Sequence, residues 1–142
     1  MVHRNKKPND IHAGKWNGLG GKFDAGETPE ECVIREVREE SGLSIRDPRL
    51  HGLLMFPDFK GEDWYVFVFT AREFDGKLLE SSPEGALEWI DDDQLTSLNL
   101  WESDHIFFPW IKAGKFFSAK FTYAGDKMTG YEVSLHLSAS EV

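Results

Sequence analysis

The chain has 142 residues, 40% hydrophobic and 13% aromatic, which is enough for one packed domain spanning residues 1–142. Its formal net charge of -9 disfavours a general nucleic-acid-binding surface, which is normally basic, so no stable nucleic-acid partner is expected. The single cysteine, Cys32, excludes an internal disulfide and a cysteine-rich zinc site. No apolar run approaches the roughly 18 residues of a membrane span and no signal peptide is visible, so we expect a cytoplasmic protein without a membrane partner.

The sequence opens with the pattern of a strand end and a polar loop. Val2–Arg4 has the strand pattern, and Asn5–Gly14 is rich in turn formers. The segment WNGLGGK at positions 16–22 then holds the amide of Asn17 four residues before Gly21. Glycines allow the backbone to approach a ligand or a metal without a Cβ clash. Asn17 therefore has two interpretations, a ligand-binding amide or only a turn residue.

A helix is predicted between Thr28 and Gly42. Thr28 is a good N-cap, Pro29 suits the first helical position, and Glu31 completes a Thr-x-x-Glu capping box. Gly42 supplies a left-handed stop. At about 100° per residue, one arc of this helix is apolar and the adjoining arc is acidic. The apolar residues are Val33, Ile34 and Val37, and the acidic ones are Glu36, Glu39 and Glu40.

The acidic arc needs an explanation, because like charges at i,i+3 and i,i+4 destabilise a helix by roughly 0.2–0.5 kcal/mol per pair. One interpretation is a solvated acidic face, the usual fate of a glutamate run. The other is a divalent-metal site, since Mg²⁺ takes oxygen ligands from carboxylates and substrate phosphates. Spacing alone favours the solvated face. Cys32, beside these glutamates, is interpreted as a packing residue rather than a nucleophile.

The whole pattern decides between the two interpretations. Gly21, Glu27 and the run Arg35–Leu43 (REVREESGL) resemble the box of the Nudix superfamily at every defining position. The resemblance implies the α/β class, as an α/β/α sandwich with a mixed β-sheet, and hydrolysis of a nucleoside diphosphate linked to another group. It also implies Mg²⁺, or Mn²⁺, as the cofactor. Nudix proteins have a full strand before the point where this sequence starts, so either the chain is truncated or numbered from an internal methionine, or the fold manages without that strand.

The resemblance assigns roles within the box. It makes metal ligands and catalytic groups of three helix residues, namely Glu36, Glu39 and Glu40. It makes Arg35 the residue that orients the catalytic glutamate and pairs with Glu27, a task that suits a guanidinium fork. Taken alone, Arg35 could equally be a surface charge. Which glutamate accepts the proton stays open, because carboxylates that share metals titrate as a coupled set.

The segment before the box resembles the MutT/MutX-type 8-oxo-dGTP diphosphatases. In that group the asparagine of WNGLGGK, here Asn17, binds the purine. The glycine before the box, here Gly20, offers its carbonyl to the metal. The lysine, here Lys22, meets the phosphates, and Gly21 lies with it in the substrate site.

Several strands are predicted after the box. Leu50–Phe56 and Trp64–Arg72 have strand composition, with Pro57–Asp63 as a loop between them. Gly76–Leu79 is predicted as a short edge strand, and Leu87–Ile90 as a further strand. In the final part of the chain, two segments flank a turn region at Gly125-Asp126 and predict a closing hairpin. These segments are Lys115–Tyr123 and Tyr131–Leu137.

An acidic residue lies just before the fourth of these strands. A lone loop glutamate is normally solvated, but Glu84 stands five residues before Trp89. In the resembling family a glutamate at that spacing is a further metal ligand or base. Asp91–Asp93 is also acidic, but Asp91 can cap a short helix around Gln94, and we interpret that run as a cap and solvent-exposed charges.

The segment LNLWESDHIFFPWIK is where the resembling diphosphatases read the base. Trp101 matches the stacking tryptophan and Asp104 the second of two aspartates, while Ser103 replaces the first. Serine makes a shorter and weaker contact than a carboxylate, so selectivity for 8-oxoguanine is less secure than phosphohydrolase activity. Without the resemblance, Trp101 would be a packing residue and Asp104 the start of a helix that Pro109 interrupts or bends.

The sequence therefore predicts metal-dependent hydrolysis of oxidised purine nucleoside triphosphates, foremost 8-oxo-dGTP, to the monophosphate and pyrophosphate, in a nucleotide-sanitising role. One alternative keeps the chemistry on another nucleoside diphosphate derivative or on 5′-triphosphate RNA. The other is a Nudix module that binds nucleotides without turning them over. The expected partner is a small-molecule nucleotide, and the sequence does not determine the oligomeric state.

Overall fold

The computed structural model describes residues 1–6, 10 and 12–136. The chain divides into two compact units, of which the first comprises Met1–Pro48 and Ala71–Trp101. The second comprises Arg49–Thr70 and the described chain from Glu102 onwards. The prediction of one domain over residues 1–142 stays a prediction.

The described chain contains short strands in the first unit and long strands in the second, with one α-helix in each. In chain order, the elements are β1 (Val2–His3), β2 (Trp16–Asn17), α1 (Pro29–Ser41), β3 (Ser44–Arg46), β4 (Arg49–Phe59), β5 (Glu62–Thr70), β6 (Glu73–Asp75), β7 (Ser81–Ser82), β8 (Gly85–Leu87), a 3₁₀ helix (Asp92–Ser97), α2 (Glu102–Lys112), β9 (Phe116–Ala124) and β10 (Lys127–His136). Within this part of the chain, we find no helix long and apolar enough to cross a membrane.

The ends of α1 are as the sequence predicts. The hydroxyl of Thr28 accepts the backbone N–H of Glu31 at 3.1 Å, and the Glu31 carboxylate accepts the backbone N–H of Thr28 at 3.1 Å. At the other end Gly42 adopts φ 80°, and its N–H donates to the carbonyl of Arg38. The capping box and the left-handed stop are therefore confirmed.

The buried face of α1 differs in part from the predicted one. Val37 is buried, but the other buried helix residues are Cys32 and Ser41, while Val33 and Ile34 are only half-buried. Ser41 can be buried because its hydroxyl donates to the carbonyl of Val37 and accepts from the N–H of Leu43. The packing interpretation of Cys32 is consistent with its burial.

The strands of the first unit bring distant segments together. One sheet has the order β2-β1-β8-β7, with all neighbours antiparallel, and β3 pairs with β6 in a separate ribbon. A Cβ on Gly85 would overlap the carbonyl oxygen of His3, so the close approach of β8 to β1 requires glycine there. The sheet places Asn17 on β2 and Glu84 in the β7–β8 turn.

The second unit contains the mixed sheet that the sequence predicts. Its order is β10-β9-β4-β5, with β4 and β9 parallel and the other neighbours antiparallel. Helix α2 packs on this sheet through Phe107, which joins Phe117 and Phe121 in the core of the unit. A Cβ on Gly52 would overlap the Phe117 ring, so this glycine of β4 makes room for a fully buried core side chain. The α/β class is confirmed.

Several predicted boundaries are wrong. The predicted loop Pro57–Asp63 is mostly strand, because β4 and β5 continue until only Lys60 and Gly61 link them. A register shift between Phe56 and Phe59 allows β4 to carry Pro57, which cannot donate to a regular ladder. The expected strand at Gly76–Leu79 is absent from the described chain, since β6 lies just before it and pairs with β3.

The remaining boundaries show smaller differences. The predicted strand Leu87–Ile90 ends at Leu87, whereas the closing hairpin of β9 and β10 is confirmed, with Leu137 outside the described residues. Helix α2 begins at Glu102 rather than Asp104 and contains Pro109. The 3₁₀ helix lies where a short helix is predicted, but its N-cap Asp91 makes no side-chain capping bond.

Replacing the capping hydroxyl should weaken α1. Thr28→Ala is expected to lower the free energy of unfolding by about 1 kcal/mol, because the backbone N–H of Glu31 loses its acceptor. Thr28→Ser keeps the hydroxyl and is the matched control, which should retain most of the stability. Urea denaturation followed by circular dichroism measures both. Equal losses in the two variants would contradict the capping explanation.

Candidate active site

The exposed glycine loop that precedes α1 lies against the last glutamate of the acidic arc. A carboxylate oxygen of Glu40 accepts the backbone N–H of Gly20 at 3.3 Å. The pKa of Glu40 is raised to about 7, chiefly by burial and in addition by the negative charges of Glu36 and Glu84. The Gly20 hydrogen bond and the charge of Arg4 act in the opposite direction. The raised pKa of Glu40 is therefore the result of its half-buried position close to other carboxylates.

The next glycine provides space for another carboxylate. A Cβ built on Gly21 would overlap the carboxylate of Glu36, with all three of its nearest contacts in that group. Only a residue without a side chain allows Glu36 to occupy this position beside the loop. The position of the Glu36 carboxylate therefore depends on a glycine at position 21 of the loop.

Arg35 joins the helix to the loop through several carboxylates. It makes a bidentate pair with Glu27, from Nε at 2.7 Å and from Nη2 at 2.9 Å. Its Nη1 donates to Glu36 at 2.7 Å and to Glu39 at 3.1 Å. Its Nη2 also donates to the carbonyl of Lys22 at 3.0 Å. The pair with Glu27 that the resemblance implies is therefore present, and the same guanidinium holds two of the three helix glutamates.

The Glu27 carboxylate is held strongly in its charged form. The hydrogen bond from Arg35, followed by the one from the backbone N–H of Asp24, lowers the pKa of Glu27 to about 2. The hydrogen bonds to Glu27 and Glu36 raise the pKa of Arg35. Asp24 adds a further contact, 3.1 Å from the Nε of Arg35. Glu27 therefore closes the loop onto the helix as a permanent anion at neutral pH.

Glu84 has a cationic partner of its own. It lies in the turn between β7 and β8, and its carboxylate is 2.7 Å from the Nη2 of Arg4. Arg4 also binds Asp10, with both Nε and Nη2 at 2.7 Å from one carboxylate oxygen. The negative charge of Glu84 also contributes to the raised pKa of Glu40. The role of Glu84 as a further metal ligand or base stays a prediction.

The donor set has the chemistry that a hard divalent cation requires. Carboxylate oxygens of Glu36 and Glu40 lie against the glycine loop, and the carbonyl of Gly20 is within the same loop. Glu39 is more exposed, with 58% of its side-chain surface accessible. No three His, Cys, Asp or Glu side chains form a ready metal cluster in the described part of the chain. The charge and the donor atoms of these residues suit a divalent cation, although the described side chains do not surround one position.

The residues predicted to read the base are divided between the two units. Asn17 is half-buried on β2 and Lys22 lies on the exposed loop of the first unit. Trp101 is in the same unit but only 7% exposed, and the ammonium of Lys15 lies 4.9 Å from its ring centroid. A base could stack on this ring only after the side chains that cover it move.

Ser103 and Asp104 lie in the second unit, in the first turn of α2. Ser103 is buried, its hydroxyl accepts from the hydroxyl of Tyr123 at 3.0 Å, and its N–H donates to the same group at 2.9 Å. The Ser103 side chain is therefore turned toward Tyr123, whereas Asp104 is half-buried. The substrate-binding roles of both residues stay predictions.

Sequence reasoning did not identify the partners of Glu84 and Trp101. Arg4, which also binds Asp10, pairs with Glu84, and His12 accepts the indole N–H of Trp101 at 2.8 Å. No local pattern indicates these contacts, because they join residues that are far apart in the chain. The only signal was the density of polar residues in the turn-rich segment Asn5–Gly14.

Comparisons with known proteins agree on one family. The family model described as NUDIX domain matches residues 1–111. The chain is 36% identical over 121 residues to the oxidized purine nucleoside triphosphate hydrolase of Danio rerio, covering 84% of this chain and 76% of that protein. It is 37% identical over 119 residues to the protein of the same name from Mus musculus, covering 82% and 75%. The crystal structure of a MutT protein from Bacillus halodurans superposes with a TM-score of 0.80 at 33% identity, covering 90% of this chain and 86% of that one.

The contribution of Glu27 to stability should depend on pH. Its folded pKa of about 2 lies below the unfolded value of about 4.3, so its stabilisation is complete above that unfolded value and is lost as the pH falls through the folded one. The free energy of unfolding of Glu27→Gln should therefore fall below that of the unmodified chain at pH 7, and the gap should narrow between about pH 5 and pH 2.

Urea denaturation at several pH values measures this gap. Glu62→Gln, which removes an exposed carboxylate at the start of β5, serves as the matched control. A gap for Glu27→Gln that does not change with pH would mean that the pair with Arg35 does not hold the charged form.

Proposed function

The chain belongs to the Nudix family, and we propose that this Nudix hydrolase converts oxidised purine nucleoside triphosphates, foremost 8-oxo-dGTP, to the monophosphate and pyrophosphate. The observation that carries the proposal is the arrangement of Glu36 and Glu40 against the glycine loop, with Arg35 holding two helix glutamates. Support for the substrate class comes from the Danio rerio and Mus musculus relatives, whose names state that activity. A sanitising role in the cytoplasmic nucleotide pool is part of this proposal.

Nudix hydrolases use divalent metals, and we propose Mg²⁺, with Mn²⁺ able to replace it. The residues that would hold it are Glu36, Glu39, Glu40, Glu84 and the carbonyl of Gly20. A bound divalent ion supplies charge to the phosphates and lowers the pKa of a coordinated water. Mg²⁺ commonly completes its shell with water and substrate phosphates, in addition to carboxylate ligands.

The side chains of the box divide the work of positioning and proton transfer. Arg35 fixes the carboxylates of Glu36 and Glu39 through Nη1, so both keep a defined direction without losing their charge. Glu40 is held by the Gly20 N–H in a half-buried position. Attack of water on the α- or β-phosphorus forms a new P–O bond and breaks the bond from that phosphorus to the oxygen between them, which gives the monophosphate and pyrophosphate. One of these carboxylates accepts the proton that the water loses, and the three act as a coupled set. Lys22, on the exposed loop, would meet the phosphates.

The structure supports the proposed contacts to the base with fewer observations than the proposed phosphate chemistry. Asn17 would bind the purine edge, and Trp101 would stack on the base once the side chains that cover its ring move. The base contact of Asp104 stays a prediction from the sequence. Ser103 would contribute only if its hydroxyl left Tyr123. The alternative substrates, another nucleoside diphosphate derivative or 5′-triphosphate RNA, keep the same phosphate chemistry and differ only in this part of the site.

The first experiment measures kcat/KM for 8-oxo-dGTP and for dGTP in the presence of Mg²⁺. The rate of pyrophosphate release is the measured quantity for both nucleotides. We expect a clear preference for the oxidised nucleotide, no release without a divalent ion, and at least a roughly 100-fold loss in Glu40→Gln. Comparable rates on the two nucleotides would refute selectivity for the oxidised base and direct the search to other substrates. Release that persists in Glu40→Gln would contradict the assigned carboxylates.

The fit between Gly21 and Glu36 gives a second test of the same site. Gly21→Ala places a methyl group where the Glu36 carboxylate lies, and we expect kcat/KM to fall by about 100-fold because the carboxylate is displaced. Gly18→Ala is the matched control, since a Cβ there meets nothing within 4 Å. Similar activities for the two variants would mean that the position of Glu36 beside the loop is not required.

A further inference from the structure

In the first unit, the side chain of Trp101 contacts His12, which lies in a turn near the start of the chain. The indole N–H of Trp101 donates to the Nδ1 of His12 at 2.8 Å, and the two rings meet edge to face with centroids 5.5 Å apart. The Lys15 ammonium lies over the indole at 4.9 Å from its centroid. Because Trp101 is 7% exposed, its N–H depends on a protein acceptor rather than on water.

The chemistry of this hydrogen bond determines the state of His12. An indole N–H can only donate, so Nδ1 must present a lone pair and the ring must be neutral, with its proton on Nε2. Burial, followed by the charge of Arg4, lowers the pKa of His12 and favours the neutral form at physiological pH. Lys15 acts in the same direction, whereas Asp10 and Glu84 oppose it. His12 is therefore a stable acceptor for the indole.

The turn that carries His12 is tied down on both sides. Its backbone N–H donates to the carboxylate of Asp10, which Arg4 holds by two contacts of 2.7 Å. The carbonyl of His12 accepts the N–H of Lys15, and Arg4 exchanges backbone hydrogen bonds with Lys15 and Gly14. On the other side, Asn99 bonds to the carbonyl of Gly14 through its amide. The backbone that carries the imidazole is therefore held by contacts that do not involve the indole.

We propose that His12 is a positioning residue for base recognition, which fixes the plane of the Trp101 ring by accepting its indole N–H on Nδ1. The inference rests on the proposed function, in which Trp101 stacks on the base. It assigns to His12 no contact with the reacting phosphates. The prediction is that loss of the acceptor changes the binding of the base rather than the hydrolytic step.

The contact can be tested in the protein without substrate. The chain has five tryptophans, and the Trp101 indole signal in a ¹H–¹⁵N spectrum is identified by its loss in Trp101→Phe. In His12→Phe we expect this signal to shift and its N–H to exchange with water at least about 10-fold faster, because the acceptor is gone. His12→Asn, whose amide oxygen can replace Nδ1, should restore slow exchange. The four other indole signals report whether each variant is folded.

The functional consequence is tested with 8-oxo-dGMP as the binding probe and 8-oxo-dGTP as the substrate. We expect His12→Phe to weaken 8-oxo-dGMP binding and raise KM by about 10-fold, with the loss in KM rather than kcat, and His12→Asn to recover most of it. An unchanged Trp101 signal or an unchanged 8-oxo-dGMP affinity in His12→Phe would overturn the inference. Failure of the unmodified chain to hydrolyse any nucleotide would instead overturn the proposed function, whatever the indole signal shows.

Discussion

The guanidinium of Arg35 is the constraint on which the arrangement of the box depends. It binds Glu27 by a bidentate pair and reaches Glu36 and Glu39 with its other nitrogen. Without a cation at this point, the carboxylates of α1 would repel one another and the loop would lose its ion pair with the helix. A planar fork that remains charged at any physiological pH suits this task better than an ammonium would. One side chain therefore links the loop to the helix and sets the directions of two carboxylates.

The rest of the negative charge is compensated less completely. Glu40 is half-buried beside the loop and has a raised pKa. Glu84 forms an ion pair with Arg4, which belongs to the same unit but is far from it in the chain. A site with such crowded carboxylates gains from additional positive charge, which the proposed divalent ions and their waters would supply. The same Arg4 also anchors the turn that carries His12. The acidic side of the site and the support of Trp101 consequently share one arginine.

Much of α1 could be predicted because its determinants are local. The capping box joins Thr28 and Glu31, three positions apart, and Gly42 is the residue that can adopt the left-handed stop. The strands were predicted less well. β4 and β5 extend through the predicted loop because pairing with each other satisfies their backbone groups, and a register shift beside Pro57 makes room for a residue that turn propensity alone would exclude from a strand. Propensity is a property of a short window, whereas pairing is a property of two segments.

The sequence by itself determined the family, the helix with its caps and the identity of the charged groups at the site, because these are written in residue types at fixed short spacings. Tertiary structure decided which groups face each other. His12 meets Trp101 across a separation of 89 residues, and the Ser103 hydroxyl turns to Tyr123 rather than outward. Side-chain partners of this kind depend on strand order and on close approaches such as that of Glu36 to Gly21. A hydrogen bond or an ion pair acts over a few ångströms of space, and only the folded chain brings such distant residues within that range.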